Sequence, residues 1–120
     1  MFKINPTTKE ISITRGDIGI INFSIDDYTF QKGDVVRFKV FKSKDCQCIE
    51  LQKDIEIQEE TELIEIPLTS EETKIGEIIN KPKQYWYEIE LNPNKKPQTI
   101  IGYDEEGEKL FTLYPEGDDK

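Results

Sequence analysis

Few side chains in this sequence could perform catalysis or bind a metal ion. The chain contains no histidine, which excludes Ser-His-Asp and Cys-His nucleophile systems and zinc sites built with histidine. Acidic pairs such as Asp26-Asp27 and Glu105-Glu106 lie in predicted turns among other charges, where carboxylates are normally solvated. The run Asp104 to Gly107 lacks the ligand spacing of a calcium loop. We therefore predict no enzyme activity, no metal site and no cofactor.

Cys46 and Cys48 are the only cysteines, and they are separated by one residue. Two thiolates alone cannot complete a tetrahedral zinc shell. In an extended strand, residues i and i+2 are near the upper distance limit for a disulfide, although a loop could bring them closer. We expect two reduced thiols beside a strand, with a strained disulfide as the alternative.

Trp86 is the residue best suited to bind a partner. It lies in Tyr85-Trp86-Tyr87, where apolar and charged residues begin to alternate. Period-two geometry places both tyrosines on the core face and Trp86 on the opposite face with Glu88 and Glu90. An exposed tryptophan often anchors a protein partner or a sugar ring, whereas a covered one would pack under the segment 70–79 or a loop. Both alternatives stay open, and Trp86, Glu88 and Glu90 are the candidate partner-binding residues.

Two turns share a cation-Gly-Asp pattern. Arg15-Gly16-Asp17 spells an integrin-binding tripeptide, but Lys32-Gly33-Asp34 repeats the pattern, also just before an apolar strand. Glycine can supply a positive φ in a turn, and aspartate can bond its own backbone at the start of a strand. A structural role accounts for both occurrences and the adhesive role for one. We therefore predict that Gly16, Asp17, Gly33 and Asp34 are structural turn residues.

Charge and composition limit the classes of partner that this chain could bind. The 120-residue chain carries 25 acidic and 16 basic residues, a formal net charge of −9, which disfavours binding to nucleic acid. It has no run of about 18 apolar residues that could span a membrane. Residues 1–6 lack the apolar region of a signal peptide, so we expect synthesis in the cytoplasm.

The composition and periodicity predict an all-β fold. The chain has 18 Ile, 3 Val and 9 Thr, so 30 of its 120 residues are β-branched, and it has no Ala. Alternating runs predict an antiparallel β-sandwich of about seven to nine short strands. The runs centre on residues 11–13, 18–25, 36–40, 49–51, 55–57, 64–68, 85–91, 98–103 and 109–114. The turn signal at residues 104–107 predicts that the last two strands form a hairpin.

One segment departs from this alternation. Thr69 and Glu72 have the spacing of a capping box, and Ile75, Ile78 and Ile79 recur at helical intervals, so one short helix or helical turn is expected near residues 70–79. No linker is evident. We predict a single domain over residues 1–115 and a disordered acidic tail over residues 116–120.

The order of these motifs resembles the N-terminal domain of BppU-type phage baseplate upper proteins and related short tail-region proteins of phages and prophages of Gram-positive bacteria. The similarity covers about residues 9–114. Its motifs are residues 11–17 with 23–25, residues 33–38, residues 66–73, residues 85–91 and residues 99–102. The resemblance implies an immunoglobulin-like sandwich that serves as a building block of the virion.

Two functional hypotheses follow. In the first, the chain is a non-enzymatic tail or baseplate module that contacts other phage tail proteins, with homo-oligomerisation left open, and passes from the host cytoplasm into the virion. In the second, it is a small carbohydrate-binding or adhesion domain that uses Trp86.

Overall fold

The structure is a computed structural model that describes residues 2–5, 7–24, 28–43, 46–76, 79–92, 98–101 and 109–116. For residues 43, 46, 47, 98, 100 and 101 only the backbone is described. This part of the chain forms nine strands and no helix: β1 (Phe2–Ile4), β2 (Ile11–Thr14), β3 (Gly19–Phe23), β4 (Val35–Ser43), β5 (Cys46–Glu56), β6 (Ile64–Leu68), β7 (Lys83–Leu91), β8 (Gln98–Ile101) and β9 (Lys109–Tyr114). The all-β prediction is confirmed.

The strands form two sheets of unequal size. The large sheet has the order β1-β2-β9-β7-β4-β5, with β8 also paired to β7, and the small sheet consists of β3 and β6. All pairs are antiparallel except β2 and β9, in which Ile11 lies opposite Phe111 in a parallel register. The expectation of a purely antiparallel arrangement is wrong at this junction. Because β2 and β9 come from opposite ends of the chain, the strands between them supply the long connection that a parallel pair requires.

Both sheets contribute to one apolar core. Alternate residues of a strand point to the same side of its sheet, so one face of each strand can be buried. The buried apolar residues of the strands are Ile11, Ile13, Ile21, Val36, Phe38, Val40, Ile64, Ile66, Leu68, Tyr85, Tyr87, Ile89, Leu91, Phe111 and Leu113. In β2, β4, β6 and β7, the residues that alternation placed inward are the buried ones.

The predicted hairpin between the last two strands is wrong. One edge of β7 pairs with β4, so β8 and β9 both pair with its other edge. Leu91 lies opposite Gln98 of β8, and Tyr87 lies opposite Lys109 of β9. Because both strands run antiparallel to β7, they run in the same direction. β9 therefore follows β8 along one edge of β7 and does not fold back to pair with it. Residues 102–108, including the predicted turn at 104–107, lie outside the described residues.

The segment near residues 70–79, expected to be a short helix or helical turn, forms a single turn and no helix in its described part. The capping box does form: the Thr69 amide donates to Glu72 Oε1 (2.9 Å), and the Glu72 amide donates to Thr69 Oγ1 (3.2 Å). The Thr73 amide then donates to the Thr69 carbonyl (3.1 Å). The turn ends because Ile75 is buried in the core and Gly76 has a φ of +67°. Glu77 and Ile78 lie outside the described residues.

β5 is one strand of eleven residues, where the sequence suggested two short runs separated by residues 52–54. All three of these residues pair with β4, and Lys53 lies opposite the buried Phe38. Lys53 therefore occupies an inward-facing position. Its Nζ donates to Glu72 Oε1 (2.8 Å) and to the Pro67 carbonyl, so the charge lies between the margins of the two sheets.

Cys48 is disulfide-bonded, so the expectation of two reduced thiols is wrong for this residue. The chain's other cysteine is Cys46, whose side chain lies outside the described part of the structure. The expectation of reduced thiols assumed that residues 46–48 lie in a regular extended strand. The pairing of β4 with β5 instead has register shifts between Val40 and Phe41 and between Phe41 and Ser43.

Candidate functional site

Strand β7 presents Trp86, Glu88 and Glu90 on the outer face of the large sheet, as the alternation predicts. All three are half-buried, while the residues between them are buried in the core. Trp86 is thus neither fully exposed nor fully covered. The segment 69–76, one of the expected covers, packs instead against the turn at residues 15–17. What this face can bind therefore depends on the residues that neighbour Trp86 on the adjacent strands of the large sheet.

An apolar row crosses four strands of this face, formed by Ile49, Phe41, Trp86 and Leu110. Trp86 of β7 lies opposite Phe41 of β4 on one side and opposite Leu110 of β9 on the other. Phe41 in turn lies opposite Ile49 of β5. Ile49 is 45% exposed, and the other three residues are half-buried. Cross-strand neighbours of this kind have side chains close enough to form one continuous surface.

Paired charges flank the apolar row. Lys39 Nζ lies 2.8 Å from Glu90 Oε1 and 3.5 Å from Glu88 Oε1. Arg37 donates through Nε and Nη2 to the two carboxylate oxygens of Asp54, at 2.9 and 3.1 Å, and this hydrogen bonding raises the pKa of Arg37. The predicted site residues Glu88 and Glu90 are both engaged by Lys39, and because two cations face three carboxylates, this group of side chains keeps one net negative charge.

The indole nitrogen of Trp86 is a buried donor that has no hydrogen-bond partner among the residues that the structure describes. A buried donor without an acceptor costs about 1–3 kcal/mol, and such groups are uncommon in folded proteins. The single tryptophan of the chain therefore combines partial exposure with an unsatisfied polar atom.

The Arg15-Gly16-Asp17 turn is built into the fold. Gly16 has a φ of +88°. Its amide donates to Thr73 Oγ1 (3.0 Å), and its carbonyl accepts from Ser70 Oγ (2.7 Å). Thr73 Oγ1 donates to the Asp17 carbonyl (2.7 Å). These bonds fix the turn against the segment 69–76.

Arg15 is not presented to solvent as a recognition residue. Its side chain is only 10% exposed. Its Nη1 lies 2.8 Å from Glu116 Oε1, and its Nη2 donates to the Gly76 carbonyl (3.0 Å). Glu116, the first residue of the predicted tail, is thus held by an ion pair, and residues 117–120 lie outside the described part. This geometry favours the structural role of the tripeptide over the adhesive one.

The second turn is held by a polar network at one end of the large sheet. Gly33 has a φ of +95°. Asp34 accepts from the Tyr28 hydroxyl (2.8 Å), from the Gln31 amide (2.9 Å) and from Asn92 Nδ2 (3.2 Å). The hydrogen bond to Asp34 raises the pKa of Tyr28. Gly33 and Asp34 therefore act locally to close the loop before β4.

The described residues also bear on metal binding and membrane insertion. Among them, no group of three or more Asp, Glu, Cys or His side chains is arranged to hold a metal ion. They also include no helix with the length and apolar character needed to cross a membrane. The acidic pairs Asp26-Asp27 and Glu105-Glu106 lie outside the described residues.

Sequence reasoning identified Trp86 but missed its neighbours. Phe41, Leu110 and Ile49 belong to three other strands, and only the register of the sheet brings them beside it. Alternation gives the face of each residue, but it carries no information about which strands are adjacent. Lys39 could be assigned to the outer face, yet its pairing with Glu88 and Glu90 required the β4–β7 register.

No family model matches the chain, and neither the curated proteins nor the solved structures contain a significant match. The family resemblance drawn from the ordered motifs therefore stays a prediction.

Proposed function

We propose that this chain is a non-enzymatic structural module of a phage or prophage tail or baseplate, which assembles with other virion proteins through protein–protein contacts. It would be made in the host cytoplasm and then join the virion. The observation that carries the proposal is the apolar row centred on Trp86, set across a sheet face beside charges that are already paired.

The strand order supports an immunoglobulin-like sandwich as the finer description of the fold. In variable-type immunoglobulin domains, strands B and E are neighbours in one sheet, and G, F, C and C′ are neighbours in the other. Here β3 and β6 form the small sheet, while β9, β7, β4 and β5 are consecutive in the large one. Along the chain, β3, β4, β5, β6, β7 and β9 then follow the order B, C, C′, E, F, G. The motif resemblance implies the same fold.

The outer face of the large sheet has the composition of a docking surface. Interface centres are enriched in aromatic and apolar residues and surrounded by polar groups. The apolar row supplies two aromatic rings and two aliphatic side chains, and the Lys39 ion pairs lie beside it. Because two cations face three carboxylates beside the row, this rim keeps one net negative charge, which favours a partner that supplies a cation.

The unsatisfied indole nitrogen of Trp86 also favours a role in contacts. A structural tryptophan usually finds an acceptor when its nitrogen is buried. A partner that repositions the indole and offers a carbonyl oxygen would recover that hydrogen bond. In the alternative carbohydrate-binding function, Trp86 would instead serve as a stacking platform, and measurable glycan affinity would favour that alternative.

Purified virus particles provide the test of the proposed assembly role. After prophage induction in the strain that encodes this chain, we expect mass spectrometry of gradient-purified virions to detect it at a copy number set by tail symmetry. Normal expression in the lysate together with absence from intact particles would contradict the proposal.

A variant pair tests the docking face. Ile49→Lys places a charge at the exposed end of the apolar row, and we expect it to reduce incorporation into particles without unfolding the domain. Leu63→Lys is the matched control, because Leu63 is 51% exposed but lies outside the large sheet. Equal incorporation of the two variants would argue against the apolar row as the docking site.

A further inference from the structure

Glu88 is the acidic side chain on the outer face that is open to a further cation. Lys39 Nζ lies 2.8 Å from Glu90 Oε1 but 3.5 Å from Glu88 Oε1, so the lysine is held more closely by Glu90. The side chain of Glu88 is 27% exposed, whereas those of Glu90 and Lys39 are each 17% exposed. An ionised carboxylate has about four lone-pair sites for hydrogen-bond donors. Glu88 can therefore accept from a partner while it stays near Lys39.

Trp86 lies beside Glu88 on this face. The two residues are separated by one position in β7, so their side chains point to the same side of the sheet. Trp86 is half-buried, yet its nitrogen Nε1 is buried. The exposed part of the indole therefore consists of carbon atoms of the ring system. A partner meets an aromatic surface and a carboxylate next to each other.

The neighbouring strand shows how a cation fits beside a ring and a carboxylate. Lys39 Nζ lies 5.5 Å from the centroid of the Phe41 ring and 2.8 Å from Glu90 Oε1. In the β4–β7 register, Phe41 lies opposite Trp86, and Lys39 lies opposite Glu88. Trp86 and Glu88 thus repeat on β7 the ring and the carboxylate that hold Lys39. Because indole binds cations through its face more strongly than phenyl does, this pair suits a cation that a partner supplies.

Arginine matches this pair better than lysine does. A guanidinium is planar and weakly hydrated, so it can stack on an aromatic ring, and its fork of N–H donors can bind a carboxylate through two hydrogen bonds. An ammonium is compact and strongly hydrated, and it has no flat surface for stacking. Arginine is also enriched with aromatic residues at the centres of protein interfaces.

We infer that Trp86 and Glu88 bind an arginine of a partner protein. The guanidinium stacks on the exposed carbons of Trp86 and donates to the Glu88 carboxylate. Apolar side chains beside that arginine cover the rest of the apolar row, which consists of Phe41, Leu110 and Ile49. This inference rests on the proposed docking function and specifies the chemistry of the partner.

The other charged residues that adjoin the row in the described part of the chain leave its negative charge in place. Lys42 of β4 and Glu50 of β5 are both exposed, and their charges are opposite. Lys109 of β9 is 7% exposed and lies opposite the buried Tyr87, which is an inward-facing position. The excess of one carboxylate beside the row therefore attracts a cation of the partner.

A second copy of this chain is not a suitable source of the arginine. The sequence contains two arginines, and both are already engaged. Arg15 donates to Glu116 and to the Gly76 carbonyl, and Arg37 donates to both carboxylate oxygens of Asp54. The formal net charge of −9 also opposes the approach of another copy, whereas it attracts a basic partner. The occupant is therefore a different protein with a basic segment that contains arginine.

Titration of the full chain with short capped peptides tests the inference. Trp86 is the only tryptophan, so its indole N–H gives a single NMR signal that reports on this position. The probe is a peptide with one arginine between two leucines, and the matched peptides carry lysine or the neutral analogue citrulline in place of arginine. We expect a saturable shift of the indole signal at millimolar peptide, with the arginine peptide binding severalfold more tightly than the other two.

A pair of variants assigns the carboxylate. We expect Glu88→Gln to weaken binding of the arginine peptide severalfold, to the level of the citrulline peptide, because the ion pair is lost. Glu65→Gln is the matched control, since it removes the same charge from an exposed position of the small sheet, and it should bind like the wild type. Far-UV circular dichroism verifies that both variants are folded.

Equal binding of the arginine and citrulline peptides to the wild type, or undiminished binding to Glu88→Gln, would overturn the inference. A glycan that shifts the indole signal when the arginine peptide does not would also overturn it and favour the carbohydrate-binding alternative. Virus particles separate this failure from failure of the proposed function. Normal incorporation of the wild type into virions, without any preference for the arginine peptide, would leave the docking role intact and exclude this partner chemistry. Absence from virions despite selective arginine binding would contradict the tail role alone.

Discussion

At the residue scale, the local sequence predicted the two turns well, but it did not predict which distant residues form hydrogen bonds with them. The cation-Gly-Asp pattern indicated glycines with positive φ, and Gly16 and Gly33 have φ values of +88° and +95°. That inference needs only neighbouring residues. The partners of Arg15, in contrast, are Gly76 and Glu116, which lie 61 and 101 positions away. No pattern within the turn could identify them.

Substituting the two turn glycines tests the backbone argument. A Cβ at Gly33 would meet no atom within 4 Å, so Gly33→Ala isolates the cost of the positive φ, about 1 kcal/mol of unfolding free energy. We expect Gly16→Ala to cost about the same, since Gly16 also has a positive φ and its Cβ would lie at an ordinary contact distance, 3.4 Å, from Lys74 Cε. Urea denaturation measures both. Lys32→Ala is a surface control beside Gly33, and a Gly33→Ala variant as stable as this control would contradict the φ argument.

At the scale of elements, alternation predicted the faces of the strands but not their connections. β4 and β7 have the predicted inward residues because each buries one face of a sheet. Lys53 suggested a break between two strands, yet its ammonium reaches Glu72 and the strand continues. The helical spacing near residues 70–79 produced only one turn in the described part, because Gly76 has a φ of +67°, outside the helical region, and Ile75 packs into the core. Both differences arise from tertiary contacts that a local pattern does not contain.

The capping box predicts a pH-dependent contribution to stability. Burial raises the pKa of Glu72, but hydrogen bonds from Lys53 and Thr69 lower it by more, so its pKa in the folded state is below the ordinary value. A lowered folded-state pKa stabilises the protein above the pKa of the unfolded state, and this stabilisation is lost as the pH falls through the folded-state pKa. We expect Glu72→Gln to lose about 1 kcal/mol at pH 7 and to approach wild-type stability in acid.

Urea denaturation at neutral and acidic pH measures this difference for Glu72→Gln. The glutamine can still accept from the Thr69 amide, so the comparison reports mainly on the charge. Glu71→Gln is the matched control, because Glu71 is exposed and is the preceding residue of the same turn. A stability loss for Glu72→Gln that is the same at both pH values would contradict the role of the Lys53 pair.

At the scale of the whole molecule, the two sheets depend on each other. A two-stranded sheet is only marginally stable in isolation, and β3 and β6 bury their inner residues against the large sheet. The large sheet likewise needs that cover for Phe38 and Tyr87, which are buried. The composition could indicate that one core exists, but its division between a large and a small sheet depends on strand order, which alternation does not encode.

This dependence predicts one cooperative unfolding transition, so that a substitution in the small sheet is detected by a probe on the large sheet. Ile66 is fully buried on β6, and Trp86, the only tryptophan, reports on the large sheet. We expect Ile66→Ala to cost about 2–5 kcal/mol, as truncation of a buried isoleucine normally does. The loss should shift the urea midpoint of Trp86 fluorescence and that of far-UV circular dichroism together. Glu65→Ala, at the exposed neighbouring position of β6, should leave both midpoints nearly unchanged. If Ile66→Ala shifted the circular dichroism midpoint but left the Trp86 transition in place, the large sheet would be stable without the small one, and the two sheets would not share a single core.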